Sequence, residues 1–170
     1  MLATEIDRIA LLGTGSGQPT GILNAAGTHP VTFGGAATWA SVLNFETLAG
    51  KANARRENCA WIIGNNVRAK WKAAVKNATA SGVGFLMNED DTVNGYPAAV
   101  TSKLDASNQV IFGSFEECYI GSWGAPALHL VVDGTTQAKT GKVSVIANLF
   151  ADVSLRRANL FVVSTDSGAQ

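Results

Sequence analysis

Between Leu12 and Asn24 the chain reads Leu-Gly-Thr-Gly-Ser-Gly-Gln-Pro-Thr-Gly-Ile-Leu-Asn, and no regular element can run through it. Glycine reaches positive φ without steric cost, so Gly13, Gly15, Gly17 and Gly21 allow a sharp reversal. Such a run suggests a phosphate cradle, but the details disagree. A Walker loop needs G-x-x-x-x-G-K-[ST], and no lysine follows these glycines. A dinucleotide fingerprint follows a strand and opens a helix, whereas Ala3 to Leu12 has Ile6, Ile9 and Ala10 at helical spacing. Pro19 also removes a donor that an anion cradle would use. The run is therefore expected to end a helix and turn the chain back, with Gly13, Gly15, Gly17, Pro19 and Gly21 as structural turn residues.

The residues after it alternate between helical and extended signals. Ile22, Leu23, Val31 and Phe33 suggest short extended pieces around Thr28-His29-Pro30. Thr38 is placed to cap a helix carrying Trp39, Val42, Leu43 and Leu48 and running toward Arg55. Ala60 to Ile63 suggests a buried strand. Asn66 is expected to cap a helix in which Val67, Trp71 and Val75 recur every fourth residue. Strands are expected at Gly82 to Met87, Val110 to Phe112, Cys118 to Ile120, Leu128 to Val132, Val143 to Phe150 and Leu160 to Val163. Turns are expected at Asn94-Gly95, Asp133-Gly134 and Thr140-Gly141. Gly121 to Pro126 reads as a loop presenting Trp123. The fold class is α+β.

At 170 residues, one domain or two small lobes is the expectation. Charged residues make up 15% of the chain, against the usual quarter. So little charge leaves little to hold the molecule apart from neighbours, which points to contact surfaces. Lysine plus arginine and aspartate plus glutamate both number 13, which argues against a dedicated nucleic-acid binder. Locally, Lys51, Arg55, Arg56, Arg68, Lys70, Lys72 and Lys76 crowd one region, and Glu89, Asp90 and Asp91 follow. A solvated helix face beside an acidic turn explains this; complementary patches meeting across subunits are the sharper reading.

No catalytic, cofactor or metal site is expected. Cys59 and Cys118 lack a C-x-x-C spacing, and His29 and His129 lie far from them, so the thiols read as structural. There is no G-x-S-x-G elbow. Glu116 and Glu117 are adjacent, and on a strand they would point to opposite faces. No apolar run is long enough to span a bilayer, and Glu5, Asp7 and Arg8 stand where a signal peptide would be apolar. The expectation is a soluble chain made inside the cell, with no membrane partner.

The order of the motifs carries more information than any one of them. Glu5-Ile6-Asp7-Arg8 leading into the glycine run resembles the end of the spine helix and the following turn in tailed-phage major capsid proteins of the Hong Kong 97 type. Trp61-Ile62-Ile63-Gly64-Asn65-Asn66 before a short helix resembles the family's next block. Gly95-Tyr96-Pro97 is similar to its Gly-Tyr-Pro turn, and Val110 to Phe115 to its strand ending in a glycine and an aromatic. Val143 to Phe161, with Asp152 and Asn159-Leu160-Phe161, resembles its closing strands. Thr14 and Ser114 stand where many members carry aspartate.

The resemblance implies the Hong Kong 97-type fold, with the family's N-terminal arm, E-loop and most of its spine helix missing before Met1. It implies residues 1–35 as spine end and glycine turn, 36–141 as an axial lobe, and 142–170 as closing strands of the peripheral lobe. It implies a structural protein, not an enzyme: a phage or prophage head subunit made in the bacterial cytoplasm and ending in the virion. Its partners would be itself, in pentamers and hexamers, other head proteins, and packaged DNA nonspecifically at most. Trp123, Arg55, Arg56, Lys70 and Lys72 are the expected subunit contacts. An encapsulin-like shell enclosing cargo enzymes and a small α+β nucleotide-binding enzyme are the alternatives.

Overall fold

The computed structural model describes residues 2–77, 84–133 and 144–166. Its centre is a six-stranded mixed sheet ordered β1-β8-β5-β2-β4-β3, formed by β1 (His29–Pro30), β2 (Cys59–Ile63), β3 (Thr92–Val93), β4 (Tyr96–Val100), β5 (Val110–Ser114) and β8 (Phe161–Ser164). The sheet draws strands from the beginning, middle and end of the chain. β1 joins β8 in parallel, so the segment after the glycine run meets the closing strand.

The apolar runs of β2, β5 and β8 are continuous because both sheet faces are covered. Trp61, Ile63, Val110, Phe112 and Val162 point to one side, where Val42, Phe45 and Ala49 of α2 (Trp39–Lys51) and Val67 and Trp71 of α3 (Asn65–Ala73) complete a core. Ile111, Phe161 and Val163 point to the other, against Leu11 of α1 (Leu2–Leu12), Ile22 and Leu104. Trp61 is the hub of the first core, its ring 5.3 Å from Phe45, 5.5 Å from Trp71 and 4.4 Å from Phe112.

Thr38 caps α2 as expected, its hydroxyl accepting from the Ser41 amide at 3.2 Å. That helix stops at Lys51, short of Arg55, where Asn53 takes a positive φ of 64°. The cap of α3 differs from the expectation at Asn66. Gly64 occupies the cap position without a side chain, and Asp105 supplies the missing carboxylate, accepting from the Asn65 backbone amide and, at 2.8 Å, from its side-chain amide. The helix ends at Ala73; Val75 leaves it and bridges Phe85. The strand expected at Gly82 to Met87 is reduced to that bridge among the described residues.

Ile22 to Asn24 is a 3-10 turn, not an extended piece. The Gly-Tyr-Pro turn is also displaced. Asn94 and Gly95, at φ 50° and 80°, form the two-residue reversal between β3 and β4, while Tyr96 and Pro97 already belong to β4. A two-residue hairpin needs two positive φ angles, which asparagine and glycine supply.

The loop expected at Gly121 to Pro126 is strand. It lies within β6 (Cys118–Asp133), which pairs antiparallel with β7 (Ser144–Leu155) as a separate two-stranded ribbon. The register jumps from Trp123 opposite Phe150 to Leu128 opposite Leu149, so four residues of β6, Pro126 among them, are absorbed in a bulge. Bulges tolerate a proline that a regular ladder would reject. The turns expected at Asp133-Gly134 and Thr140-Gly141 lie outside the described residues, save Asp133 at the end of β6. No described helix is long and apolar enough to cross a membrane.

Candidate assembly surface

The glycine run closes on itself. The Gly13 amide donates to the Ile9 carbonyl and the Gly21 amide to the Gly13 carbonyl, each at 2.9 Å, while Thr14 bridges Thr20. Gly15 and Gly17 take φ of 79° and 67°. Gln18, beside Pro19, accepts from Arg8 and donates to Thr14, each at 2.9 Å. An anion cradle needs several free amides converging on one point. Here the amides of Gly13 and Gly21 are spent inside the loop, and a helix precedes it rather than a strand.

Gly95, Tyr96 and Pro97 line a cavity of about 300 Å³ with Arg56, Glu57 and Cys59. The Arg56 guanidinium lies over the Tyr96 ring at 5.2 Å, and the Asn94 amide donates to both Glu46 carboxylate oxygens at 2.9 Å. Burial pushes the Glu46 carboxyl and the Tyr96 hydroxyl up. These contacts hold the hairpin in place. Lys72 is engaged within the chain, donating to the Glu89 carbonyl at 3.0 Å and pairing with Asp91 at 2.7 Å; Arg68 also pairs with Asp91 at 2.7 Å. Lys70 is exposed on the same helix. Burial pushes the Cys59 and Cys118 thiols up, which keeps them protonated.

The largest exposed aromatic side chains among the described residues gather on the ribbon, while Ile120, on its other face, is 52% exposed beside a cavity of about 400 Å³ that Leu11, Ile22, Ile62 and Phe115 also line. Alternation gives the ribbon two faces. Cys118, Val153 and Leu155 point inward, with Val153 buried and Cys118 and Leu155 against the second core. Tyr119 and Trp123 of β6 point outward together with Phe150, which sits directly opposite Trp123. Tyr119, Trp123 and Phe150 are 52%, 55% and 56% exposed. Aromatic pairs across two strands usually stabilise a covered face; this one faces open space.

At the foot of that face, Glu116 and Glu117 lie on a 3-10 turn rather than a strand. Glu117 is buried and accepts from the Arg157 guanidinium, its backbone carbonyl accepts from the Arg156 amide at 2.9 Å, and the Arg156 side chain stands 3.8 Å away. The hydrogen bond from Arg157 lowers the Glu117 carboxyl below the usual range. Arg55, Arg156 and Arg157 share a cavity of about 310 Å³ with Tyr119 and the two glutamates. Three guanidinium groups and two carboxylates therefore meet beside Tyr119. Sequence reasoning singled out Trp123 and Arg55 as contacts and weighed Glu116 and Glu117 only as a carboxylate pair on a strand; it did not single out Phe150 or Arg156. The only signal for Phe150 was its alternation within an apolar run.

The chain is an α+β protein with a two-sided mixed sheet, a glycine-closed helix end and a separate two-stranded ribbon. The model of the phage capsid family matches residues 2–166, and the chain belongs to that family. It is similar to the major capsid protein of Halomonas phage phiHAP-1, 28% identical over 169 residues, covering 99% of this chain but only 27% of that protein. The capsid of an empty GTA particle matches with a TM-score of 0.70 at 16% identity, over 96% of this chain and 61% of that one. The SrpI encapsulin complex of Synechococcus elongatus PCC 7942 matches with a TM-score of 0.61 at 13% identity, over 97% and 61%. The fold is the Hong Kong 97-type fold, and the chain spans about a quarter of the curated relative and about three fifths of these two structures.

Proposed function

We propose that this chain is a structural part of a phage or prophage major capsid subunit, which assembles with copies of itself into the head enclosing the DNA genome. The family match over residues 2–166 supports the reading, and the uncovered aromatic face of the ribbon supports it physically. Closed shells arise from repeated self-complementary and head-to-tail contacts around symmetry axes. Such contacts favour tryptophan, tyrosine, phenylalanine and arginine, the residue types on the outer face of β6 and β7 and at their foot.

In that shell the central sheet with α2 and α3, drawn mainly from residues 36–141, would form the wedge pointing toward the capsomer axis. α1, the glycine turn and the strands after residue 142 would form the peripheral lobe, with β8 threading back into the wedge; because β6 pairs with β7 along the ribbon, the boundary would fall before Cys118 rather than at residue 142. The work is mechanical rather than catalytic. Other head proteins and the packaged DNA are its expected neighbours in the virion, and the host cytoplasm is where it waits before assembly.

The encapsulin match keeps a second reading open, a shell around cargo enzymes, because likeness at such low identity concerns the fold alone. Particles pelleted from a culture carrying the gene decide between them by mass spectrometry and nuclease protection. The phage reading expects peptides of this chain among the most abundant, with nuclease-protected DNA inside. Particles rich in one enzyme and free of DNA would support the encapsulin reading, and absence of the peptides from any particle would contradict both.

A further inference from the structure

We propose that Asn94-Gly95, at the tip of the β3–β4 hairpin, is a latent covalent modification site, open to deamidation and isoaspartate formation, which the Glu46 carboxylate on α2 keeps closed. The proposal is independent of the shell reading.

Asn94 is the one asparagine of the chain that a glycine follows. That pair is chemically labile, because glycine has no Cβ to shield its backbone nitrogen. The Gly95 nitrogen attacks the side-chain carbonyl carbon of Asn94 and forms a new C–N bond. The Asn94 Nδ2 nitrogen leaves as ammonia, carrying the proton that the Gly95 amide gives up. Water then opens the resulting succinimide at either carbonyl. One opening gives aspartate; the other gives isoaspartate, whose main chain runs through the former side chain and gains a methylene. Water is the only co-reactant. The attacking nitrogen is accessible: Gly95 is exposed, and a Cβ there would meet only the Arg56 guanidinium within 4 Å, at 3.4 Å.

Two features hold the reaction back. Asn94 Nδ2 donates to both Glu46 carboxylate oxygens at 2.9 Å, so the leaving nitrogen is tied to a helix while the attacking nitrogen belongs to the turn. A carboxylate that accepts from an amide N–H also strengthens the double-bond character of the C–N bond, and it has no proton to give the departing nitrogen. The second feature is the turn itself. Asn94 and Gly95 take φ of 50° and 80°, and the pairing of Val93 with Tyr96 fixes the backbone on either side of them. A reactive geometry needs the amide to leave Glu46 and swing onto the Gly95 nitrogen.

Neither product fits the closed hairpin. Aspartate offers Glu46 no donor, and Arg56, the cation beside Glu46, already lies over the Tyr96 ring at 5.2 Å. Isoaspartate lengthens a turn of only two residues, which disturbs the pairing of Thr92 with Pro97 and of Val93 with Tyr96. The change is one-way and falls on the outermost strand of the sheet.

Peptide mass spectrometry of the segment carrying Asn94, over days in warm neutral buffer, tests the proposal. A free peptide of residues 90–99 supplies the unprotected rate. The folded parent chain is expected to deamidate at least about tenfold more slowly than the peptide, the effect of a hydrogen-bonded amide held by a charged acceptor. Glu46→Ala should remove most of that protection while circular dichroism shows a folded chain. Glu46→Gln, which keeps the shape and one acceptor oxygen, should fall between and carries the test should the alanine variant unfold. Asn94→Asp should lower the melting temperature by a few degrees in the parent chain and by less in Glu46→Ala. A folded chain that deamidates as fast as the peptide would overturn the proposal. So would Glu46 variants no faster than the parent, or a peptide that stays intact.

Discussion

Gly13 and Gly21 lie back to back at the end of α1, with the Gly21 amide donating to the Gly13 carbonyl at 2.9 Å. A Cβ on Gly21 would stand 2.5 Å from the Gly13 nitrogen and 2.6 Å from the Ile9 carbonyl oxygen; one on Gly13 would stand 2.1 Å from the Pro19 carbonyl oxygen. Backbone surrounds both positions, so nothing flexible can yield. Gly21→Ala is therefore expected to destabilise the fold by about 2 kcal/mol or more. Gly17→Ala, with a positive φ but nothing within 4 Å, should cost about 1 kcal/mol. Gly50→Ala, inside α2 with open space around it, should stabilise by about 0.5 kcal/mol. Urea titrations of the three variants check the order.

The same loop should ignore nucleotides. ATP, GTP and NAD are expected to leave the melting temperature unchanged, since a ligand that binds only the folded state must raise it. Saturable binding that disappears in Gly15→Val would contradict a purely structural loop.

Tryptophan fluorescence separates the ribbon from the core. Trp61 and Trp71 are fully buried, whereas Trp123 is 55% exposed. Trp39 is half-buried with Lys76 over its ring at 4.3 Å, so Trp123→Phe is expected to remove the larger share of the red-shifted, iodide-quenchable emission, Trp39 keeping the rest, without lowering the melting temperature. A melting temperature several degrees lower would mean that Trp123 packs onto its own domain.

Much of this architecture was legible because local rules and burial agreed. The Thr38 cap, the apolar periodicity of α2 and the runs in β2, β5 and β8 each follow from one principle, and all appear near their expected places. The failures have a common cause in contacts distant along the chain. Asn66 loses the cap of α3 to Asp105, which lies some forty residues further along and bonds Asn65 and Asn66. Gly121 to Pro126 has the composition of a loop, yet pairing of Cys118 to Trp123 with β7 holds its flank extended, and a bulge absorbs Pro126. The pairing of Phe150 with Trp123 depends on that register, which no local pattern specifies. The arginine-bordered face was for that reason only partly visible beforehand.

Acid should weaken the junction of α3 and the acidic turn in a defined window. Hydrogen bonds from Arg68 and Lys72 lower the Asp91 carboxyl from 3.8 to about 2. A depressed carboxyl contributes stability that is fully present above its unfolded value and is lost as pH falls through the folded value. The contribution is thus complete above pH 3.8 and fades toward pH 2. Asp91→Asn is expected to lower the urea midpoint at neutral pH and to flatten its decline within that window. Parallel declines in the variant and the parent chain would show that this pair does not couple to folding.

Electron microscopy of the purified chain over a range of concentrations tests most directly whether it is a shell-building module. The chain is expected to be mainly monomeric at micromolar concentration, since the ribbon face is a small area for a stable interface. As concentration rises, rings of uniform diameter with five or six subunits should appear, and they should disperse in high salt. A particle that stays monomeric to the solubility limit, or that forms only two-fold dimers, would contradict the account.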